Sequence, residues 1–501
     1  MTALPHALTS DYVHDQLVAR TLDLNGKTYN PDGEYVLYWM QATHRVEENW
    51  ALRAAMRAAN RVNRPLVIHQ GLDPTYPHAS DRHHTFILQG ARETARRADA
   101  LGLHYQFVLR RARDDDRRVV DRLAARAYVV ITDLFPTAGV RERSERFAAR
   151  VPCRTLAIDS YCAVPSGLFT KAEYGARTIR PKLARLLDHS IEPVDDAMAM
   201  KPVRASLRRT LEDITGVATM PRDRSDADLA GDVAHCEIDH EVPAVALQGG
   251  SAAAEARLMH FAAHDLHGYA ERRNEAGLDD GTSRLSPYLH YGQLPSAGVV
   301  RVARASGAGA ESLDAFIGQV TTWRELAFNW CVRTRDFDRL SSLPAWVQRT
   351  MAAHEGDARP VLYDMETLER GETHDSLWNA SQLQLRRTGV IHNYPRMLWG
   401  KTLLLWTPDY ETARRTMYRL NDKWALDGRD PNSVGGIMWC LGLWDRPWGN
   451  KQVWGGIRPM VTSRAKHKFN VARYIANHGR QASLDEMQGP QSGPGAPSIA
   501  P

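Results

Sequence analysis

The sequence has few cysteines and no long apolar run. Its five cysteines, among 501 residues, are scattered and include no C-x-x-C pair, which argues against a disulfide framework and against structural zinc. No segment approaches the ~20 apolar residues that span a bilayer. The amino terminus lacks the basic patch, apolar stretch and cleavage site of a secretory signal. We therefore predict a cytoplasmic protein that holds no metal.

An excess of charge of one sign is also missing. The net charge of +5 is small for this length, so it permits nucleic-acid binding without demonstrating it. The composition, 43% hydrophobic and 25% charged, is that of a soluble globular protein. Because hydrophobic cores stop growing at roughly 250 to 300 residues, the length predicts two domains.

The amino-terminal part alternates short apolar runs with helical segments, as βα units do. The predicted strands are Tyr35–Met40, Pro65–Gln70, His104–Leu109, Ala127–Phe135 and Arg154–Tyr161. No G-x-G-x-x-G follows the first of them, so the standard dinucleotide fingerprint is absent. After an amino-terminal extension (1–33), we predict an α/β domain with a parallel sheet over 34–164.

The remaining chain is predicted to be mostly helical. Residues 165–251 are irregular and charged, as expected of a surface connection between domains with some helix. Residues 252–476 carry helical periodicity almost throughout and predict an all-α domain. Residues 477–501 are rich in Pro, Gly and Ser and predict a disordered tail.

Two segments of the helical part combine polar and aromatic side chains. Gly281–Leu294 (GTSRLSPYLHYGQL) places hydroxyls and a glycine before an apolar run, which describes either an N-capped helix or a helix start that favours an anionic diphosphate. Further on, Trp323 follows Gln319 by four residues, so the two share a helix face, as core or as binding surface. Glu325 is expected to pair with an arginine and to support the fold.

A third segment, Asp375–Trp406, carries three tryptophans. Pro395 is expected in the first turn of a helix that has Asn393 close to its cap and ends at Thr407. Trp399 and Trp406, seven residues apart, then lie on one face about 10 Å apart, with Trp378 on the preceding helix. Such indoles either relay an electron by hopping or simply pack.

A fourth segment, Leu420–Arg458, is a loop region punctuated by Gly and Pro, and loops often carry chemistry. Basic residues interleave there with Trp448 and Trp454. They form either a solvated face or a rim that contacts DNA phosphates. The basic residues are Arg446, Lys451, Arg458, Arg464, Lys466, Lys468 and Arg473.

These segments resemble the class II cyclobutane pyrimidine dimer photolyases. The string LNDKWALDGRDP, from Leu420 to Pro431, is the most specific match. The resemblance covers roughly Leu266 to Tyr474 through specific motifs, and Glu34 to Val164 through pattern and the opening YVLYWMQATHR. It implies an α/β antenna-type domain followed by an all-helical domain that binds FAD.

The resemblance also assigns roles to residues. It implies an electron relay of Trp378, Trp399 and Trp406, and a lesion pocket of Gln319, Trp323, Met397 and Trp439. Gln319 stands where the family usually has a glutamate, and HNYPRM departs from the usual HGF-x-R-M. Arg396 is expected to pair with Asp427. The implied FAD contacts are Tyr269, Thr282, Ser283, Leu285, Ser286, Arg324, Asn393, Arg396, Asn421, Asp427 and Asp430.

The function implied is light-driven repair of pyrimidine dimers in double-stranded DNA by a monomer that carries reduced FAD. A cryptochrome-like light sensor would use the same flavin and relay. A nucleotide-binding helical scaffold would lack the redox chemistry, and repair of the 6-4 photoproduct would require a histidine over the lesion, for which His392 is present. The antenna pigment stays open between a deazaflavin, a folate and none.

Overall fold

The computed structural model describes residues 10–194, 198, 200–216, 224–278 and 280–480. Its amino-terminal part is a six-stranded sheet in the order β1-β6-β5-β2-β3-β4, parallel except for the antiparallel pair of β1 and β6. The elements are α1 (Ser10–Arg20), β1 (Thr21–Asp23), β2 (Tyr35–Met40), α2 (Trp50–Arg61), β3 (Leu66–Leu72), α3 (Asp81–Ala100), β4 (His104–Leu109), α4 (Val119–Ala125), β5 (Ala127–Asp133), α5 (Val140–Arg150) and β6 (Thr155–Ile158).

The central strand β2 shows why this sequence forms a covered parallel sheet. All six of its residues are buried. Because side chains alternate across a strand, Val36, Tyr38 and Met40 enter one hydrophobic core and Tyr35, Leu37 and Trp39 enter another on the opposite face. Because helices cover both faces of the sheet, every position of β2 is buried, and the strand therefore reads as a continuous apolar run.

The predicted parallel sheet is confirmed, with one strand missed. β1 lies within the predicted amino-terminal extension and pairs with β6, so Thr21 faces Ile158. All three β1 residues are exposed, and a three-residue edge strand carries no apolar pattern that a sequence could reveal. The predicted strands β3, β5 and β6 differ from the structure by one to three residues at an end.

Helices form the rest of the described chain. The connection carries α6 (Ala176–Ser190), α7 (Ala205–Thr215) and α8 (Asp226–Ala234). The helical part comprises α9 (Ser251–His260), α10 (Tyr269–Arg272), α11 (Ser286–His290), α12 (Ser296–Ala305), α13 (Ala310–Gly318), α14 (Arg324–Arg333), α15 (Ala345–Ala353), α16 (Met365–Arg370), α17 (Ser376–Thr388), α18 (Asn393–Trp406), α19 (Tyr410–Trp424), α20 (Pro431–Cys440) and α21 (Val471–His478).

Buried polar contacts join the two parts. Glu325, on α14, accepts hydrogen bonds from the backbone amides of Ala163 at 2.8 Å and Val164 at 3.3 Å. The expected arginine partner was wrong, since the described partners of this carboxylate are amides of the segment after β6. Burial raises the pKa of Glu325 to about 8. The side chain does support the fold, because it fixes the chain where it enters the helical part.

Of the predicted tail, only residues 477–480 are described; the rest of it lies outside the described residues. Within the described ranges, no helix combines the length and the apolar character needed to cross a membrane.

Candidate active site

A cavity of about 1820 Å³ opens in the helical part. Sites for drug-sized ligands measure roughly 300 to 1,000 Å³, so this one has room for a large cofactor beside a second molecule. The cavity gathers residues from distant segments of the chain. Of the residues predicted from sequence, its walls include Tyr269, Thr282, Ser283, Leu285, Ser286, Gln319, Trp323, Arg324, Asn393, Arg396, Met397, Asp427, Asp430, Trp439, Arg458, Arg464 and Lys468.

The backbone of the hydroxyl-rich loop before α11 is fixed by an arginine side chain. Arg257 donates to the carbonyl oxygens of Ser283 at 2.9 Å and Thr282 at 3.2 Å, and it pairs with Asp265 at 2.9 Å. Arg284 has a φ of +54°, which is uncommon for a residue other than glycine and often marks a ligand clamp. The loop therefore presents short hydroxyl donors to the cavity from a fixed backbone.

A π-helical turn carries Gln319 and Trp323. The turn spans Gln319–Trp323, where the spacing had predicted an ordinary α-helix. π-turns often occur at functional sites, and a local departure of this kind has no sequence signal. Both side chains still line the cavity, and Trp323 is 36% exposed.

Helix α18 brings Asn393, Arg396 and Met397 to the cavity. His392 caps it: the ring nitrogen Nδ1 accepts from the Tyr394 amide at 3.1 Å, and Nε2 lies 3.0 Å from the Arg273 carbonyl oxygen. Burial lowers the pKa of His392 to about 4. Both ring nitrogens are thus engaged by backbone, which leaves neither directed at a second molecule.

Arg396 and Asp427 form the predicted ion pair. The guanidinium donates to both carboxylate oxygens, at 2.9 and 3.1 Å. Asn421, expected beside the cofactor, is buried outside the cavity wall, where its Oδ1 accepts from Arg396 at 3.4 Å. Its contact with the cavity passes through Arg396. A bidentate pair of this kind fixes both the direction and the charge of the guanidinium.

Asp430 and Arg324 line the cavity, but other protein groups also engage them. The Asp430 carboxylate caps α20 through the Asn432 amide at 2.7 Å, accepts the Tyr161 hydroxyl at 2.8 Å and lies 3.1 Å from His290. Arg324 donates to the Tyr161 carbonyl oxygen and stands over the Tyr161 ring at 3.3 Å. These two residues therefore link the cavity wall to the end of the α/β part.

Helix α20 has no side chain at two adjacent positions of the cavity wall. Gly435 and Gly436 both line the cavity. A Cβ at Gly435 would lie 3.0 Å from Trp444, and one at Gly436 would lie 3.5 Å from the Met397 methyl group. The hydroxyl loop and the Arg396–Asp427 pair line the same cavity, and together with these glycines they suit a flat ring system attached to a phosphate-bearing chain.

The three tryptophans of the predicted relay form one continuous row of ring contacts, stacked between Trp378 and Trp399 and edge-on between Trp378 and Trp406. Trp378 lies between the other two, with ring centroids 6.2 Å from Trp399 and 5.4 Å from Trp406. All three are buried. Trp399 directly follows Met397 and Leu398, which line the cavity, whereas none of the three tryptophans lines it.

The predicted basic rim is divided between the cavity edge and the neighbouring surface. Arg458, Arg464 and Lys468 line the cavity, whereas Arg446, Lys451 and Lys466 lie outside its wall. Arg446 and Arg458 stand over the Trp448 ring, at 5.0 and 4.6 Å. Trp448 therefore connects Arg446, outside the wall, with Arg458, which lines the cavity.

Sequence reasoning missed several residues of the wall. Arg273, Gln384, Arg387, Tyr394 and His478 line the cavity without having been predicted. They lie at ends of helices that only the fold brings together, so nothing in their spacing could reveal them. Tyr394 could have been noticed, since it belongs to the same HNYPRM string as Arg396.

Comparison with known proteins identifies the family. A protein named deoxyribodipyrimidine photo-lyase from Methanothermobacter thermautotrophicus is 31% identical over 458 residues, 91% of this chain and 97% of that protein. One of the same name from Oryza sativa subsp. japonica is 32% identical over 475 residues, 92% of this chain and 91% of that protein. The chain belongs to the DNA photolyase family.

Two further matches agree with this family assignment. The DNA photolyase family model matches residues 36–200. A solved archaeal photolyase from Sulfolobus tokodaii, described with two FAD molecules, shares the fold at a TM-score of 0.62 and 15% identity, over 89% of this chain and 90% of that one. The sheet followed by helices is therefore the photolyase architecture.

Proposed function

We propose that the cavity holds FAD along the α20 wall and receives a pyrimidine dimer, turned out of double-stranded DNA, at its mouth. The family supports FAD as cofactor and deoxyribodipyrimidine photo-lyase as the enzyme activity. The observation that carries the proposal is the convergence in one cavity of Trp323, Trp439 and the Arg396–Asp427 pair.

The inner part of the cavity provides the cofactor contacts. Hydroxyls of Thr282, Ser283 and Ser286 would hold the diphosphate, and Tyr269, Leu285 and Asn393 would pack around the rest. Arg396, fixed by Asp427, places a positive charge where a reduced, anionic flavin ring would lie. Reduced FAD, when bound and excited by light, supplies one electron to the lesion and takes it back after the cyclobutane bonds break.

The mouth of the cavity provides the lesion contacts. Trp323 and Trp439 offer two aromatic surfaces for the dimer, with Met397 beside them, and unstacking a poorly paired lesion costs only a few kcal/mol. The Gln319 amide can donate a hydrogen bond to the lesion carbonyls. Arg458, Arg464 and Lys468 at the rim, with Arg446, Lys451 and Lys466 around it, attract the phosphates.

In this proposal, Trp378, Trp399 and Trp406 supply the electrons that bring bound FAD to its reduced state. An electron that Trp399 gives to the incompletely reduced cofactor would be replaced from Trp378, and that of Trp378 from Trp406, so that the positive charge moves away from the cavity. Centroid separations of 5.4 to 6.2 Å support such steps.

We assign the enzyme to class II on the LDGRDP string and expect a monomer that acts in the cytoplasm. The cryptochrome-like alternative is not favoured, because relatives matched over nearly their whole length carry the photo-lyase name. Repair of the 6-4 photoproduct is disfavoured by His392, whose ring nitrogens are both occupied by backbone.

Irradiation of a defined lesion tests the proposal. The photoreduced protein is mixed with an oligonucleotide that carries one cyclobutane thymine dimer and exposed to near-ultraviolet or blue light, with a dark control. Recovery of thymine absorbance in the light alone supports the assignment. A second oligonucleotide with a 6-4 photoproduct should stay unchanged, and recovery there instead would assign the other lesion.

A further inference from the structure

Lys401 is a buried lysine that the mechanism above does not use. It lies on α18, its exposed fraction is 0%, and its Nζ atom has no hydrogen-bond partner among the described residues. Lysine is almost never fully buried unless it is paired, and burial of an ammonium group without compensation is costly. Among the described residues, the group that compensates this buried ammonium must therefore be of another kind.

That group is the indole of Trp439. The Lys401 Nζ atom lies 4.7 Å from the Trp439 ring centroid, within the range of a cation–π contact. Trp439 lines the cavity and Lys401 does not, so the ammonium group stands behind the wall. A Cβ on the neighbouring Gly400 would lie 2.8 Å from the Cys440 sulfur, which shows how closely α18 and α20 approach here.

We propose that Lys401 is a positioning residue for the lesion pocket: its ammonium group holds the Trp439 indole in the orientation that stacks on the flipped-out dimer. The inference rests on the proposed function. It gives a reason for a charged side chain where an apolar one would fill the same space. Trp439 is only half-buried, so apolar packing alone does not enclose its ring on the side of the cavity.

The charge of Lys401 can be changed without mutation. Burial lowers its pKa to about 8. The charged or titratable groups that face it are Cys440, Asp445 and Arg458, and burial raises the pKa of the Cys440 thiol to about 11. An increase from pH 7 to 9.5 thus removes the Lys401 charge while the Cys440 thiol stays largely neutral.

Dark binding of DNA by the FAD-loaded protein tests the inference. Fluorescence anisotropy gives the ratio of affinities for dimer-bearing and undamaged oligonucleotides of one sequence. For Lys401→Met we expect this ratio to fall about tenfold, as loss of a desolvated cation–π contact would cause. The control is Lys423→Met, because Lys423 also lies over an indole, that of Trp424 at 5.2 Å, but is ion-paired with Glu369 and lies outside the cavity wall; its ratio should not change.

Two further measurements separate positioning from a general structural effect. Adding Lys401→Met to Trp439→Ala should lower the ratio no further than Trp439→Ala alone. Between pH 7 and 9.5 the wild-type ratio should fall with a midpoint near 8, and in Trp439→Ala it should not. This pH comparison decides the inference even if Lys401→Met fails to bind FAD.

An unchanged ratio in Lys401→Met, additive effects in the double variant, or the same pH profile in wild type and Trp439→Ala would each overturn the inference. Its failure is distinct from failure of the proposed function. If the wild-type protein shows no preference for the dimer at pH 7, the proposed function itself is wrong. If it shows the preference and the variants do not alter it as stated, only the role of Lys401 is wrong.

Discussion

Trp378 stacks on Trp399 with their planes 11° apart, and its indole N–H donates to the Trp399 carbonyl oxygen at 3.0 Å. The Trp399 indole in turn donates to Gln382 Oε1 at 3.0 Å. Asp375 caps α17 by accepting from the Trp378 amide at 2.9 Å. Hydrogen bonds thus fix the two rings in one orientation.

Replacing Trp378 by phenylalanine should interrupt photoreduction. In the proposed relay the three indoles act in series. Any one replacement should therefore slow light-driven reduction of bound FAD about as much as replacing all three, on the order of tenfold or more. Transient absorption after a blue flash measures it. Chemically reduced Trp378→Phe should still repair dimers at the wild-type rate, and slow repair by that form would place Trp378 in the lesion chemistry instead.

Replacing Asp427 by asparagine should weaken FAD binding. The change leaves the largely buried Arg396 without its anionic partner, which costs about 2 to 5 kcal/mol, so FAD affinity should fall at least tenfold. Titration of the apoprotein with FAD measures the effect. Arg396→Lys should also weaken FAD binding, since a lysine cannot make the bidentate contact with Asp427. The control is Arg370→Lys, which changes the exposed pair of Arg370 and Glu366.

Gln319 should act as a neutral hydrogen-bond donor to the lesion. Gln319→Ala removes a bond worth about 0.5 to 1.5 kcal/mol, so the repair yield per absorbed photon should fall roughly two- to tenfold. Gln319→Glu, which has the residue usual in the resembling family, should at least match the wild type where the glutamate is protonated and lose activity as pH rises. A pH-independent yield in Gln319→Glu would show that this side chain does not reach the lesion.

Stability should decline on acidification below pH ~6.5 because of buried histidines. Burial lowers the pKa of His44, His69, His84, His104 and His392 to about 4 each, whereas unfolded histidine titrates near 6.5. Between these values the unfolded chain binds more protons, so the free energy of unfolding rises with pH, by up to about 1.4 kcal/mol per pH unit for each histidine.

The buried carboxyl group of Glu325 changes the free energy of unfolding with pH in the opposite direction. Its pKa is raised to about 8, so the folded chain binds the extra proton above the ordinary value near 4.3, and this contribution to stability decreases as pH rises towards 8. Urea unfolding at pH 5, 6.5 and 8 measures both effects. Glu325→Gln should reduce the decline between pH 6.5 and 8, and a wild-type stability that does not change between pH 5 and 6.5 would contradict the histidine account.

The sequence reveals what depends on local pattern. The strands Tyr35–Met40 and His104–Leu109 are predicted to the residue. The first is an uninterrupted apolar and aromatic run, and the second alternates Tyr105, Phe107 and Leu109 with its other side chains. The Arg396–Asp427 pair was predicted through the resemblance of two motifs 31 residues apart, and the structure contains it. The position of Trp378 between Trp399 and Trp406 depends on how α17 packs on α18, which spacing alone does not give.

What the sequence does not reveal depends on distant contacts. The partners of Glu325 are amides 161 and 162 residues away in the chain, so no local pattern points to them. Asn421 belongs to the most specific motif, yet it lies behind Arg396 instead of in the cavity wall. Lys401 stands among apolar residues of α18 and gains significance only when α20 brings Trp439 against it.

The central claim is that a flipped-out dimer lies close enough to reduced FAD for an electron to pass between them. The excited-state lifetime of the reduced, protein-bound flavin tests this most directly. We predict that the lifetime shortens when a dimer-bearing oligonucleotide is added, stays the same with the undamaged oligonucleotide, and responds weakly in Trp439→Ala. A lifetime that saturating dimer-bearing DNA leaves unchanged would contradict the account.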